Sequence, residues 1–178
     1  MTRATAEARY GVRRALALKA ANAKLATAGV DVQVRPLDTP ALAAFSADWQ
    51  GHPGRRVAWP WPVMASDWRR VCPERFEASV WSDGRLCALA LGKPAPSAPH
   101  LSLHYLEGSP DPAHRPGGRT TSVVLVAAEA YVLAFGKTEL RLVDPLPALI
   151  PHYCGPALGF RLVAPPGASP YCTRRIAV

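Results

Sequence analysis

The chain is short of acid. Thirteen Asp and Glu stand against 21 Lys and Arg, which leaves a formal charge of +8 over 178 residues. Six of the cations (Arg3, Arg9, Arg13, Arg14, Lys19 and Lys24) lie within residues 1–30 against Glu7 alone, so +5 of the excess sits in that segment. No pattern of stacking aromatics accompanies this charge. It therefore reads first as a solvated helix face and only second as a footprint for nucleic acid. Long apolar runs are also missing: Glu129 interrupts the best candidate for a bilayer span. The first residues scatter charges where a secretion signal needs an unbroken apolar core. The expectation is a cytoplasmic protein with no membrane attachment.

Paired metal-binding cysteines are absent too. Cys72, Cys87, Cys154 and Cys172 form no C-x-x-C, and His152 with Cys154 supplies two ligands where a zinc site needs more. No metal site is expected, and the cysteines read as small buried apolar residues. Neither the G-x-x-x-x-G-K-[ST] nor the G-x-G-x-x-G spacing occurs, and there is no internal repeat. What remains is a chain that is 49% hydrophobic, long enough for one domain with a real core, and rich in proline with 19 residues.

Helical spacing of Leu18, Ala21, Leu25 and Ala28 predicts an N-terminal helix that ends at Gly29. "VDVQVRPL" alternates as a half-buried strand, and Thr39 is placed to cap a helix with Pro40 at its first position. The segment from Gly51 to Pro62 is loop, with Trp59 and Trp61 as either core edge or the wall of a substrate pocket. A short helix follows, "VMASDWRRVC". Phe76 to Leu91 reads as a hairpin turning at Asp83-Gly84, and "HLSLHYLEG" as the next strand. Beyond it come an apolar helix over Thr121–Phe135, the strand "KTELRLV", a Pro-broken helix, and a closing strand pair. This order predicts a mixed α/β sheet: four antiparallel strands, a strand–helix–strand unit, then the closing pair.

The turn "HRPGGRTT" precedes the apolar helix directly. A helix N-terminus exposes N–H groups and the positive end of its dipole, and glycines let an anion approach closely. Gly117 and Gly118 supply access, Arg115 and Arg119 charge, Thr120 and Thr121 hydroxyls. By itself Gly-Gly before Thr is also an ordinary loop and cap.

The strand order together with this turn resembles the GNAT acyltransferase superfamily over residues 30–178, leaving residues 1–29 as a basic helical addition. The resemblance implies that the turn holds the pyrophosphate of acetyl-CoA, through a pattern of Arg or Gln, two residues, Gly, one residue, then Gly or Ala. Arg115 matches its first position, Gly118 the fourth, and Thr120 stands where Gly or Ala is usual. "VQVRPLD" resembles the family's first strand, and "ALGFRLV" its entry into the sixth. Two departures stand out. The connection "EGSPDPAH" is longer than usual, and the family's general-acid tyrosine, five residues before the Phe of L-G-F, falls on Gly155, with Tyr153 two residues further away.

The implied chemistry is attack of an amine on a CoA thioester, which needs a base, an oxyanion donor and an acid for the thiolate. Glu107 is the base candidate, with an ion pair to a nearby Arg as its alternative use. Tyr153 is the acid candidate. His104 is a structural histidine before it is a base. The expected function is acyl-CoA-dependent N-acyltransferase with an amine acceptor. A GNAT-fold binding module without catalysis is the alternative, and a nucleic-acid-associated protein comes after it. Self-association into a homodimer is left open. Because the resemblance begins after the basic helix, removal of residues up to Ala28 is expected to leave a folded domain, unless Leu18, Ala21 and Leu25 are docked.

Overall fold

A computed structural model describes residues 2–177 except Arg115 and Gly117. Helix α1 (Arg3–Thr27) leads into strand β1 (Gln33–Arg35), helix α2 (Thr39–Ala44) with a π-helical turn at Phe45–Trp49, and helix α3 (Trp61–Val71). Strands β2 (Phe76–Ser82), β3 (Arg85–Pro94) and β4 (His100–Gly108) follow. Helix α4 (Thr120–Ala134), strand β5 (Glu139–Val143), the short helix α5 (Ile150–Cys154) and strands β6 (Arg161–Val163) and β7 (Tyr171–Arg175) complete the chain. The seven strands make one sheet in the order β1-β2-β3-β4-β5-β7-β6. Only the β4–β5 pair is parallel. This is the mixed α/β sheet that the sequence pattern predicts.

Local chemistry accounts for the elements. Asp83 and Gly84 take positive φ values of 49° and 72°, matching the right-handed twist of the β2–β3 hairpin they connect. Asp38, rather than Thr39, caps α2: its Oδ1 accepts from the Ala41 N–H at 3.1 Å. The strand expected over residues 30–37 is only three residues long. Its backbone is completed by Asn22 of α1, which donates to the Val34 carbonyl and accepts from the Val34 N–H, both at 2.8 Å.

Helices cover both faces of the sheet. On one face α1 and α4 bury Leu18, Ala21, Leu25, Val124, Ala128 and Val132 against Phe76, Val80, Ala88 and Leu103. On the other, α2, its π-turn and α3 bury Phe45, Trp49, Trp61 and Ala65 against Leu86, Leu89 and Leu91. This double cover explains why β2 and β3 are buried almost end to end instead of alternating with solvent.

The basic helix is therefore part of the core, not an appendage. Four of its six cations also contact other groups of the protein. Arg3 donates to the Arg69 carbonyl at 2.7 Å, Arg13 stacks 5.1 Å over Phe135, Arg14 pairs with Glu7, and Lys24 lies 3.4 Å from Glu129. Glu7 in turn holds the buried Arg75 through two bonds of 2.9 Å, and Arg75 reaches the buried Glu77 at 3.1 Å. Burial raises the Glu7 pKa, but the bonds to Arg75 and Arg14 outweigh it, so the net shift is downward. The network joins α1 to β2 at a point where a lone charge is costly.

Gly92 marks a close approach. The β3–β4 register shifts between Leu91 and Gly92, paired with Tyr105 and Leu103, so His104 is the extra residue of a bulge. A Cβ at Gly92 would sit 2.5 Å from the Ser102 carbonyl oxygen.

Two outcomes are expected. A chain beginning at Gly29 loses the buried Ala17, Leu18, Ala21 and Leu25 and should show no cooperative melt by circular dichroism. Leu25→Ala in the full chain should cost about 2–5 kcal/mol in urea unfolding. A truncated chain that melts like the full one would show that α1 is dispensable.

Candidate active site

β4 and β5 pair from His100↔Glu139 to Leu103↔Leu142 and no further, although β4 continues to Gly108. β5 ends at Val143, and Asp144, with φ 50°, turns the chain away. From His104 onward no strand among the described residues pairs with the β5 side of β4. Two adjoining cavities lie along this stretch. The first, of about 250 Å³, reaches Gly118, Thr120 and Thr121 at the start of α4. The second, of about 290 Å³, reaches Trp59, His104, Tyr105 and Asp144. Val57, Leu106, Leu146, Leu149 and Tyr153 line both.

The α4 end of the first cavity has the features of an anion seat. Gly118 adopts φ 74°, a left-handed conformation that side chains rarely take, and nothing lies within 4 Å of where its Cβ would be. The first bond of the helix runs from the Val123 N–H to the Arg119 carbonyl at 3.0 Å. The N–H groups of Thr120, Thr121 and Ser122 precede it and have no intrahelical acceptor. Thr120 is buried, and its Oγ1 has no hydrogen-bond partner among the described residues. An orphaned hydroxyl at a helix N-terminus suits a phosphate oxygen. Arg119 occupies the N-cap position and is exposed. Arg115 and Gly117, also expected in this turn, lie outside the described residues. Arg56, which the sequence reading did not single out, lines the same cavity and is exposed.

Glu107 lines the first cavity, but donors hold both of its oxygens. Arg55 Nε reaches Oε1 at 2.7 Å, Arg55 Nη2 reaches Oε2 at 3.0 Å, and the Trp61 indole N–H reaches Oε2 at 2.5 Å. Arg55 also stacks 4.7 Å over Phe45 and donates to the Trp59 carbonyl at 2.6 Å. The arrangement clamps the loop before α3 onto the end of β4. A proton leaving a substrate for Glu107 would compete with three donors already in place. Trp61 is thus core, while its neighbour Trp59 is a cavity wall.

Tyr153 of α5 stands where the two cavities meet. The Gly155–Phe160 segment folds back on α5, with the Gly159 N–H on the Gly155 carbonyl at 2.8 Å and the Phe160 N–H on the Tyr153 carbonyl at 3.1 Å. Burial, with a smaller contribution from Cys172, raises the Tyr153 pKa, which keeps the phenol protonated. The bulge turns His104 toward Trp68, edge-on at 5.4 Å, on the same face as Tyr105. Burial first and Lys93 second lower the His104 pKa, so the imidazole is neutral at physiological pH.

No protein-family model matches the sequence, and no curated protein matches it. Solved structures do match the fold. Ard1 from Thermoplasma volcanium superposes with a TM-score of 0.60 at 12% identity, covering 84% of this chain and 100% of its own. The ribosomal-protein-S18-alanine N-acetyltransferase from Escherichia coli gives 0.56 at 16% identity, with 83% and 95% covered. The PaiA N-acetyltransferase from Thermoplasma acidophilum, solved with coenzyme A, gives 0.55 at 15% identity, with 82% and 99% covered. The fold is that of the GNAT acetyltransferases. α1 packs on α4. No helix among the described residues is long and apolar enough to cross a membrane.

The clamp gives a direct expectation. Arg55→Ala leaves the buried Glu107 without its counter-ion and should cost about 3–5 kcal/mol in urea unfolding. Adding Glu107→Gln to that variant should recover a large part of the loss. An Arg55→Ala protein with the wild-type urea midpoint would show that the pair bears no structural load.

Proposed function

We propose that this chain is an acyl-CoA-dependent N-acyltransferase that moves an acetyl group from acetyl-CoA to a primary amine. The observation that carries the reading is the opening between β4 and β5, with the α4 N-terminus at one end and Tyr153 at the junction of two cavities. Neighbours of the same fold include enzymes described as N-acetyltransferases and one solved with coenzyme A, which supports the choice of donor.

In this reading Gly118, Arg119, Thr120 and Thr121, with Arg115 and Gly117 of the same turn, receive the pyrophosphate of the donor. The amine enters as an ammonium ion, loses one proton, and attacks the thioester carbonyl carbon with its lone pair. An N–C bond forms, the C–S bond breaks, and the electron pair leaves on sulfur. The amine nitrogen releases a second proton as the amide forms. Tyr153 gives its proton to the departing thiolate and is then reprotonated from solvent, so the products are an amide, CoA thiol and one net proton. The unpaired β5 side of β4 beyond Leu103 supplies the backbone donors for the developing oxyanion. Glu107, held by Arg55 and Trp61, acts as a positioning residue that fixes the loop before α3. His104, neutral and in the second cavity, receives the amine proton.

Calorimetry with CoA and free-thiol release from acetyl-CoA over an amine panel test the reading. Arg115→Ala should weaken CoA binding by about 1–3 kcal/mol, the range for a lost charge-assisted hydrogen bond. Tyr153→Phe should lower kcat by about 10²-fold with CoA affinity unchanged. With His104 as base, the acidic limb of kcat/KM should fall below pH 6.5, the unshifted histidine value, and disappear in His104→Asn. Persistence of that limb in His104→Asn and its loss in Glu107→Gln would return the base role to Glu107. CoA binding with no thiol release from any amine would leave a binding module.

A further inference from the structure

The second cavity has a composition of its own. Trp59 and Tyr105 meet edge-to-face with ring centroids 5.1 Å apart, and Trp59 rests in turn on Trp61 at 6.1 Å. Leu142 and Leu149 complete an apolar surround. Among the described residues that line it there is no Lys or Arg, and its one histidine, His104, is neutral. Among the described lining residues the one fixed charge is Asp144, which is exposed and has no ion pair to a described residue.

We infer that this cavity is the acceptor site and takes a primary amine carried on an aromatic or branched apolar group, without a carboxylate or phosphate. The inference rests on the acyltransferase reading above and names its acceptor. A carboxylate on the acceptor would lose water, meet no Lys or Arg among the described lining residues, and face Asp144. An ammonium group is favoured at the same place by Asp144. At about 290 Å³ the cavity is at the small end of ligand sites, enough for one ring on a short chain. A polyamine would bring several cations to a single carboxylate. Tyr153 and Leu106, shared with the first cavity, set the amine beside the donor's reacting end. The ring or branched group remains in the second cavity throughout the acyl transfer.

The test uses the full chain with acetyl-CoA and four acceptors: 2-phenylethylamine, glutamate, spermidine and an alanyl peptide. Free thiol is followed, and CoA affinity is measured separately by calorimetry. The expected result is a kcat/KM for 2-phenylethylamine at least tenfold above the other three. Trp59→Ala should raise the KM for 2-phenylethylamine tenfold or more with CoA affinity and melting temperature held, and Trp59→Phe should restore most of it. If CoA binds and glutamate, spermidine or the peptide is preferred, the acceptor class is wrong while the acyltransferase reading stands. Turnover with an unchanged KM in Trp59→Ala also overturns the acceptor site. If CoA does not bind, or binds with no amine turned over, the acyltransferase reading falls and this inference with it.

Discussion

β4 and β5 are hydrogen-bonded over four residue pairs, and then their backbones part. Parallel strands need a crossover, and here α4 provides it, so the helix must begin near the C-terminal end of β4. Strand separation therefore does two things at once. It opens the sheet beside His104 to Gly108, and it places a helix N-terminus at the end of that opening. α5 then closes the other side with Tyr153. A site of this kind depends less on any single residue than on where one ladder of hydrogen bonds stops.

Holding such an opening apart requires rigid walls. The sheet has helices on both faces, and ionic contacts tie the outer elements to it, among them Arg75 with Glu7 and Glu77 near α1, and Arg55 with Glu107 beside the cavity. Each contains a carboxylate that is more than nine-tenths buried, Glu77 in one and Glu107 in the other. Buried pairs add little net stability compared with apolar substitutes, but they penalise every arrangement that separates them. Their value here is in fixing position, because the loop carrying Arg55 to Trp59 has few backbone bonds of its own.

Much of this was readable from local pattern. The alternation of Phe76, Ala78 and Val80, the Asp83-Gly84 turn, and Leu101, Leu103 and Tyr105 specified three strands with their order. The glycine-rich turn marked the start of α4 to within one residue, Thr121 being expected and Thr120 observed, with Arg119 rather than a threonine at the cap. What local pattern missed was partnership at long range. Arg55 and Glu107 are 52 residues apart, and nothing near either one announces the other. The docking of α1 was obscured for a different reason: Ala17 and Ala21 bury little area each and give a weak apolar stripe, while the arginines on the same helix read as solvent-facing. Their distant partners (the Arg69 and Pro73 carbonyls and Phe135) lie far from α1 in the chain. The cap of α2 slipped by one residue because Asp38 and Thr39 are both good caps and Pro40 is acceptable at either of the first two helical positions.

Gly92 ties the neighbouring strand to the cavity's shape. Its missing side chain lets the Ser102 carbonyl come within 2.5 Å of the place a methyl group would take, just before the bulge that turns His104 and Tyr105 onto one face. Any larger residue would push β3 and β4 apart there, and the bulge would have to relax or migrate. The direction in which those two rings enter the second cavity is thus encoded on a strand that never lines it. An exchange at a position with no chemistry of its own would change which molecules fit.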